Sequence, residues 1–389
     1  MDFDIVVVGS GLVGASFALA LAPAGLNLAL IEAQPPPQPG AGAADWDSRV
    51  YAISPGSAAF LERCGVWHGL DMARVSRIEA MRVFGDDGRS ELDFSAYDAG
   101  LRELAFIVEN RALQRVLWEA LQRARHVAVM APAACEALTF ETEAAQLELS
   151  DGRVLRARLM VGADGAASWV RAQTAITIEA RPYHQTAVVA NFAITRPHRG
   201  TAYQWFRHDG VLALLPLPGE RVSMVWSTSE EHAARLLDLV HGEFVAEVAA
   251  ASHDTLGDLQ LVTPAAAFPL RLQRVKQLVL PRLALIGDAA HNVHPLAGQG
   301  VNLGFRDARE LAQVLMGRGA QTDCGDYRLL RRYERARRED IAAMQFATDS
   351  LQRLFNNEIT WLETLRNCGL RLINRQPQLK NLLVQHAVG

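Results

Sequence analysis

Residues 5–8 form an unbroken apolar run, Ile-Val-Val-Val, without the alternation of a strand that is wetted on one face. A run of this kind predicts a strand covered on both sides, as in a parallel sheet buried between layers. Glycines follow, then an alanine-rich helical stretch over 15–22, then a second apolar run over 28–31 that stops at Glu32. Together they predict a βαβ unit at the start of the chain. Over 33–46 proline, glycine and alanine displace any periodicity, and a loop is expected. Helical spacing returns at Leu113, Val116, Leu117 and Leu121, with Asn110 as the candidate N-cap.

Alternation then takes over. Residues 138–159 read as strands around a hairpin turn at Asp151-Gly152, and four more strands are predicted at 186–194, 202–206, 211–215 and 222–226. An apolar run over 283–286 predicts another buried strand, and from 308 onward the pattern is mainly helical. Blocks in this order predict an α/β cofactor domain into which a β-sheet substrate domain is inserted, followed by a helical tail.

At 389 residues the chain is long enough for more than one core. Its net charge of −4 gives no global attraction to nucleic acid, and none is expected as a partner. Cys64, Cys135, Cys324 and Cys368 stand far apart, which suits buried thiols in a reducing cytoplasm better than a disulfide scaffold or a zinc ribbon. No metal site is expected: His291 and His294 are close, but the residues after them add no ligand. The acidic start Met-Asp-Phe-Asp lacks the positive region of a secretory signal. No apolar stretch reaches the roughly 20 residues that span a bilayer, so any membrane contact is expected to be peripheral.

Three segments carry the candidate chemistry. Gly9-Ser10-Gly11-Leu12-Val13-Gly14 lies between the first strand and helix. Gly9 allows the turn, Gly11 lets a pyrophosphate approach the backbone, and Gly14 lets helix pack on strand. Glu32 ends the next strand, where it can accept from a ribose hydroxyl. Asp164-Gly165 follows a strand and precedes a helix start at Ser168 and Arg171. Gly287-Asp288-Ala289-Ala290-His291 follows the 283–286 run and leads to Pro295-Leu296-Ala297-Gly298-Gln299-Gly300-Val301-Asn302-Leu303-Gly304. There an Asp at a strand end can bind a polyol, and backbone N–H groups at a helix start can stabilise charge on a reduced flavin.

In this order the three segments resemble the FAD-dependent aromatic hydroxylases of the p-hydroxybenzoate hydroxylase fold. Within that group the chain is similar to the ubiquinone-biosynthesis hydroxylases. Asp47-Ser48-Arg49-Val50-Tyr51-Ala52-Ile53-Ser54, Glu109-Asn110-Arg111, Tyr183-His184-Gln185 and Leu214-Leu215-Pro216-Leu217 extend the match, and a looser one runs through the tail. The resemblance implies a discontinuous Rossmann-like FAD-binding domain at 1–75, 101–180 and 270–340. It implies a substrate-binding β-sheet domain at 76–100 and 181–269, and a C-terminal helical region at 341–389. It places the FAD adenosine and pyrophosphate at Gly9, Gly11, Gly14, Glu32 and Arg111, with Asp164 and Gly165 near the pyrophosphate. Asp288 would hold the ribitol or pyrophosphate, and Pro295, Leu296, Ala297, Gly298, Gln299, Gly300, Val301 and Asn302 would line the isoalloxazine. Arg49 would lie near the flavin and the nicotinamide.

The implied activity is a monooxygenase that uses NADPH or NADH and O2 through a flavin C4a-hydroperoxide to hydroxylate a hydrophobic phenolic or quinone-precursor ring. No amino-acid nucleophile is required; Arg49 and His184 are the candidate direct participants, and His291 and His294 are further proton acceptors. A flavin dehydrogenase or isoprenoid reductase, and a flavin-holding scaffold of a quinone-making complex, are the competing readings. Trp205, Phe206 and Trp226 are candidate pocket walls, against the alternative that they are plain core. In the tail Leu351, Leu354, Phe355, Ile359, Leu362, Leu365 and Leu372 recur at helical spacing, with Arg353, Arg366, Arg371, Arg375 and Lys380 in excess over Glu358 and Glu363. This pattern fits a peripheral membrane contact, a subunit or complex interface, or a face covering the chain's own core.

Overall fold

The computed structural model describes residues 2–36, 46–87, 90–292, 300–355 and Lys380. The uninterrupted run at the start of the chain forms the strand Phe3–Val8, whose last four residues are buried. It pairs in parallel with Leu28–Ile31 on one side and Val154–Gly162 on the other. Val127–Met130 and Leu283–Leu285 extend the parallel core outward. The hairpin expected at Asp151-Gly152 joins Ala145–Leu149 to Val154–Gly162, with Gly152 at φ +83°. Within this eight-stranded sheet the chain leaves the central strand toward one neighbour first and toward the other later. The carboxyl ends of such strands frame a crevice where ligands bind in open α/β sheets.

Helices α1 (Leu12–Ala20), α2 (Pro55–Arg63), α3 (Asn110–Arg123), the short α4 (Trp169–Ala172), α5 (Glu230–Asp238), α6 (His241–Ala251), α7 (Gly300–Met316) and α8 (Tyr327–Phe355) complete the described layers. Helix α1 is apolar nearly all round because the sheet lies on one side of it and α7 on another. The expected helical stretch starts and stops earlier than alanine content suggests, since Pro23 diverts the chain into a short 3-10 turn at Ala22–Ala24. Asn110 is the first residue of α3 rather than its cap. The cap is supplied from elsewhere: an Asp47 carboxylate oxygen accepts from the Arg111 N–H at 3.0 Å.

The predicted strands of the second block form a nine-stranded sheet, all longer than the alternation alone implies: Ile178–Ile194, Thr201–Arg207, Gly210–Leu217 and Arg221–Ser229. One of its faces packs on α5 and α6 through Phe192, Trp205, Leu214, Met224, Trp226, Phe244 and Val248. Part of the opposite face packs on a three-stranded sheet, Val50–Ile53, Ala105–Glu109 and Ser76–Ile78, through Ile107, Ala202 and Leu217. At one edge Ala266–Val275 pairs with His291–Asn292, so the turn that follows the last parallel strand leads back onto the second sheet.

Candidate active site

Three turns meet at the carboxyl ends of the parallel strands. The Gly9 N–H donates to the Ile31 carbonyl at 2.8 Å, the Ala163 N–H to Val8 at 2.8 Å, and the Ile286 N–H to Gly162 at 3.0 Å. The glycines of the first turn differ in what demands them. At Gly9, φ is +103° and a Cβ would lie 2.5 Å from the Ala163 carbonyl oxygen; at Gly14 a Cβ would lie 2.1 Å from the Gly9 oxygen. A Cβ on Gly11 would meet nothing within 4 Å. Packing within the chain therefore accounts for Gly9 and Gly14 but not for Gly11, where the space over the backbone is open. Gly11 is also the N-cap of α1 and offers no side-chain acceptor to the helix's first N–H groups, which leaves them available to an anion. Glu32 stands beside this turn: one of its oxygens accepts from the Ser10 N–H at 2.8 Å and the Ser10 hydroxyl at 2.9 Å, and the other from the Gln34 N–H at 3.0 Å. A carboxylate has about four acceptor sites, so room remains for a ribose hydroxyl.

The second turn is set by Asp164, one oxygen of which accepts from the Val170 N–H at 3.0 Å and so holds the start of α4. Its other oxygen is buried without a hydrogen-bond partner among the described residues. An unmatched buried carboxylate oxygen is costly, and it marks the place where a donor on a bound group would be accepted. Gly165 beside it has φ +81° and space around the Cβ position. Arg171 ties this turn to the third, donating to the Ala166 carbonyl at 2.8 Å and the Ala289 carbonyl at 2.7 Å. Burial draws the Arg171 guanidinium below its ordinary range, with Asp164 opposing.

The third turn, Gly287–Ala289, presents Asp288 at its centre. Loss of hydration pushes the Asp288 carboxyl upward, with His291 and Arg49 opposing the rise and Asp307 adding to it. Its accessible surface is nevertheless exposed. Its carboxylate can therefore be reached from outside, with His291 and Arg49 close enough to act on it. Behind the turn lies a charged cluster that sequence reasoning missed. The fully buried Asp307 accepts from the Gly287 N–H at 3.0 Å and the Arg337 Nε at 2.7 Å, and meets the His291 Nε2 at 2.5 Å. Arg337 also reaches Asp340 at 2.5 Å, and Asp340 meets Arg306 at 3.2 Å. Burial alone would raise the Asp307 carboxyl, but His291 and Arg337 outweigh it and hold it low. His291 is thus engaged within the protein and not turned toward a substrate. Asn302 is likewise committed: its side-chain amide donates to the Ala52 carbonyl at 2.8 Å and accepts from the Ser54 N–H at 2.9 Å. The backbone N–H groups of Gly300 and Val301 open α7, where a helix start favours negative charge.

Asp47, Arg49 and Arg111 are brought together across the chain. Asp47 accepts from the Arg49 N–H and the Arg111 N–H, both at 3.0 Å, and its own N–H donates to Glu109 at 2.7 Å. Glu109 is buried and paired with Arg74 at 2.7 Å. The Arg49 guanidinium stacks over Tyr51 and over Phe268, each 5.5 Å from the ring centroid, and so links the three-stranded sheet to the second sheet. Burial raises the Tyr51 phenol and Arg49 opposes the rise, while Asp288 adds to it. Tyr51 therefore lies against Arg49 and within electrostatic reach of Asp288.

Beside Phe268 the second sheet presents small and aliphatic side chains. Register places Ala187 opposite Phe268, Val189 opposite Val225, and Val225 opposite Ala213, so these residues share one face. Trp205 and Trp226 lie on the other face, packed against α5 and α6, and both are buried. Phe206 is buried in a separate cluster with Val83 and Leu92. Trp205 and Trp226 are core and not pocket walls, because the face they share packs on the helices, whereas Phe206 points to the opposite face, where register sets it against Val211. His184 sits at a bulge in Ile178–Ile194 with φ +51° and an exposed side chain that makes no hydrogen bond among the described residues. The structure does not join it to Arg49, Tyr51 or Asp288. His294, Pro295, Leu296, Ala297, Gly298 and Gln299 lie outside the described residues, as does the tail beyond Phe355 except Lys380.

Comparison with known proteins identifies the family. The model of the FAD binding domain family matches residues 2–347. A protein described as ubiquinone hydroxylase UbiL from Rhodospirillum rubrum is 38% identical over 99% of this chain and 89% of its own. The 3-demethoxyubiquinol 3-hydroxylase of Escherichia coli is 35% identical over 99% of this chain and 98% of its own. Among solved structures, p-nitrophenol 4-monooxygenase PnpA from Pseudomonas putida superposes with a TM-score of 0.77 at 18% identity, covering 99% of this chain and 98% of that one.

Proposed function

The chain belongs to the FAD-binding-domain family of flavin-dependent aromatic monooxygenases, and from that premise we propose that it hydroxylates a polyprenylated phenol on the route to ubiquinone. The observation that carries the cofactor's position is the convergence of Gly11, the unpartnered Asp164 oxygen and Asp288 at the ends of three parallel strands. Their chemistry fits FAD: helix-start N–H groups for the pyrophosphate, Glu32 for the ribose, Asp288 for the ribitol hydroxyls, and the start of α7 for the ring's pyrimidine edge. Bound FAD supplies the transfer of electrons from NADH or NADPH to O2 and the activation of oxygen.

The chain's own residues bind and orient. The face carrying Ala187, Val189, Ala213 and Val225 offers small apolar contacts that admit a flat ring and exclude water from it. Arg49 sets its guanidinium at the edge of that face, over Phe268, where it can receive the anionic part of the nicotinamide donor or a phenolate. Tyr51 positions the Arg49 guanidinium.

Oxygen uptake by the holoenzyme with NADPH or NADH, in detergent micelles carrying a polyprenylated phenol, tests the proposal. A product that gains one atom of labelled oxygen on the ring is expected. Substrate consumed without incorporated oxygen would point to a dehydrogenase or reductase, and FAD that NAD(P)H cannot reduce would point to a scaffold.

A further inference from the structure

We propose that the outward face of α8, with Arg274 and Lys276 beside it, docks the protein on an anionic lipid bilayer. The biological use of such docking rests on the reading of a polyprenylated substrate; the evidence for the surface does not. Charge is unevenly placed along the chain. From residue 327 to the end, eleven Lys and Arg stand against six Asp and Glu, in a chain whose net charge is −4. The basic surplus is therefore local, and the rest of the molecule is acidic. Such asymmetry within one chain points to a charged surface as partner.

The fold concentrates this surplus on one side. At about 100° per residue, Arg328, Arg331, Arg332, Arg335 and Arg338 fall within roughly a third of the circumference of α8. The buried residues Leu329, Leu330, Tyr333 and Ile341 occupy the opposite side and fix the arginines outward. Arg328, Arg332, Arg335 and Arg338 are exposed, and no ion-pair partner for them is found among the described residues. Arg331 pairs with Glu334, and Glu339 lies on the same arc, so the face is strongly but not purely basic. Arg274 and Lys276, both exposed, meet Arg338 at a recess floored by Ala290 and His291. These floor residues lie just past the Gly287–Ala289 turn, so the basic face backs onto the cofactor turn.

Charge complementarity and the sequence pattern toward the end of the chain both favour lipid as the occupant. Leu351, Leu354 and Phe355 begin an apolar recurrence that runs on through Ile359, Leu362 and Leu365 with further arginines. Basic residues combined with a recurring apolar stripe suit a lipid surface, whereas nucleic acid makes no use of the stripe. No helix among the described residues is long and apolar enough to cross a membrane, so the contact is at the surface.

Sedimentation of the holoenzyme with vesicles of phosphatidylcholine, with and without phosphatidylglycerol, tests the proposal. Binding is expected only where phosphatidylglycerol is present, and it should weaken as salt shortens the range of the interaction. Each cation near such a surface contributes about fivefold in affinity. Replacing Arg328, Arg332, Arg335 and Arg338 together by Glu should weaken binding by at least about a hundredfold, with FAD content and melting temperature unchanged. If that variant does not fold, the four Gln replacements should still show a clear loss. Binding that ignores lipid charge and salt, Gln variants that bind as the parent does, or a parent that binds no anionic vesicle would each overturn the proposal; the last would leave an acidic protein as the partner. The vesicles carry no substrate, so this outcome is independent of hydroxylation measured in micelles. Hydroxylation without vesicle binding would sink the docking surface alone, and vesicle binding without hydroxylation would sink the substrate reading alone.

Discussion

A methyl group added at Gly11 would point into open space, and one added at Gly9 would collide with the Ala163 carbonyl oxygen at 2.5 Å. The two glycines of one motif should therefore fail differently. Gly11→Ala is expected to leave the apoprotein's stability within about 0.5 kcal/mol of the parent while weakening FAD binding. Gly9→Ala should destabilise the fold by about 1–3 kcal/mol through backbone strain alone, before any effect on the cofactor. Melting curves of the apoproteins, alongside flavin-fluorescence titrations, separate the two. Loss of stability in Gly11→Ala with unchanged FAD affinity would reverse the assignment. Asp288→Ala should weaken FAD by about ten- to a hundredfold, the worth of a charge-assisted hydrogen bond of about 1.5–3 kcal/mol. Residues of this kind were legible in the sequence because the demand on them is local: a turn, a strand end, a helix start. Asp307 and Arg337 were not. On paper an Asp and an Arg in helical stretches look like a solvated face, and their pairing across thirty positions leaves no local signature.

At the scale of elements, alternation located the strands of the second sheet but could not say which face meets the site. The large aromatic residues Trp205 and Trp226 drew attention, yet they serve the helix-covered core, while small residues such as Ala187 and Ala213 line the other face. Asn110 was similarly plausible as a cap by type, but Asp47 reaches the start of α3 from a distant segment and performs that task. Asp47→Ala should cost about 1 kcal/mol through the lost cap, and it should also loosen Arg49, whose N–H the same carboxylate holds. A lower melting temperature together with weaker FAD binding is expected, and a change in neither would show that the cap is idle. The ion cluster linking α7 to α8 has a pH signature. Asp307 and Asp340 both lie below the ordinary carboxyl range: burial opposes this, but Arg337 lowers both, His291 acts on Asp307 and Arg306 on Asp340. Groups with depressed folded values contribute stability above the unfolded pKa of about 3.9, and that stability is lost as pH falls through the lower folded value. Asp307→Asn should therefore destabilise the protein near neutral pH, by about 3–5 kcal/mol for a broken buried pair, and flatten its acid-unfolding limb. An acid limb as steep as the parent's would remove Asp307 from that role.

Across the whole molecule, the candidate FAD site draws on segments near residues 9, 32, 164, 288 and 300, which are joined to one another only through folding. Arg171 clamps the Asp164 and Asp288 turns together, Asn302 fastens α7 to the segment after Tyr51, and Asn191 of the second sheet donates to the Asp47 carbonyl at 2.9 Å. A ligand bound where these segments converge binds the folded chain and has no comparable site in the unfolded one. FAD at a hundred times its Kd should then stabilise the protein by about 2.7 kcal/mol. That stabilisation should extend to both sheets, because the second sheet is tied to the turns by the pairing of Ala266–Val275 with His291–Asn292 and by the Asn191 contact. Hydrogen exchange with and without FAD measures it strand by strand. Protection is expected to rise in Phe3–Val8 and Val154–Gly162 and, more weakly, in Ile178–Ile194 and Arg221–Ser229. Gly11→Ala at the same FAD concentration should show a smaller rise everywhere, in proportion to its lost affinity. Protection confined to the parallel sheet would mean that the second sheet unfolds independently of the cofactor, and that Arg49, stacked between Tyr51 and Phe268, does not couple the ring-binding face to the flavin turns.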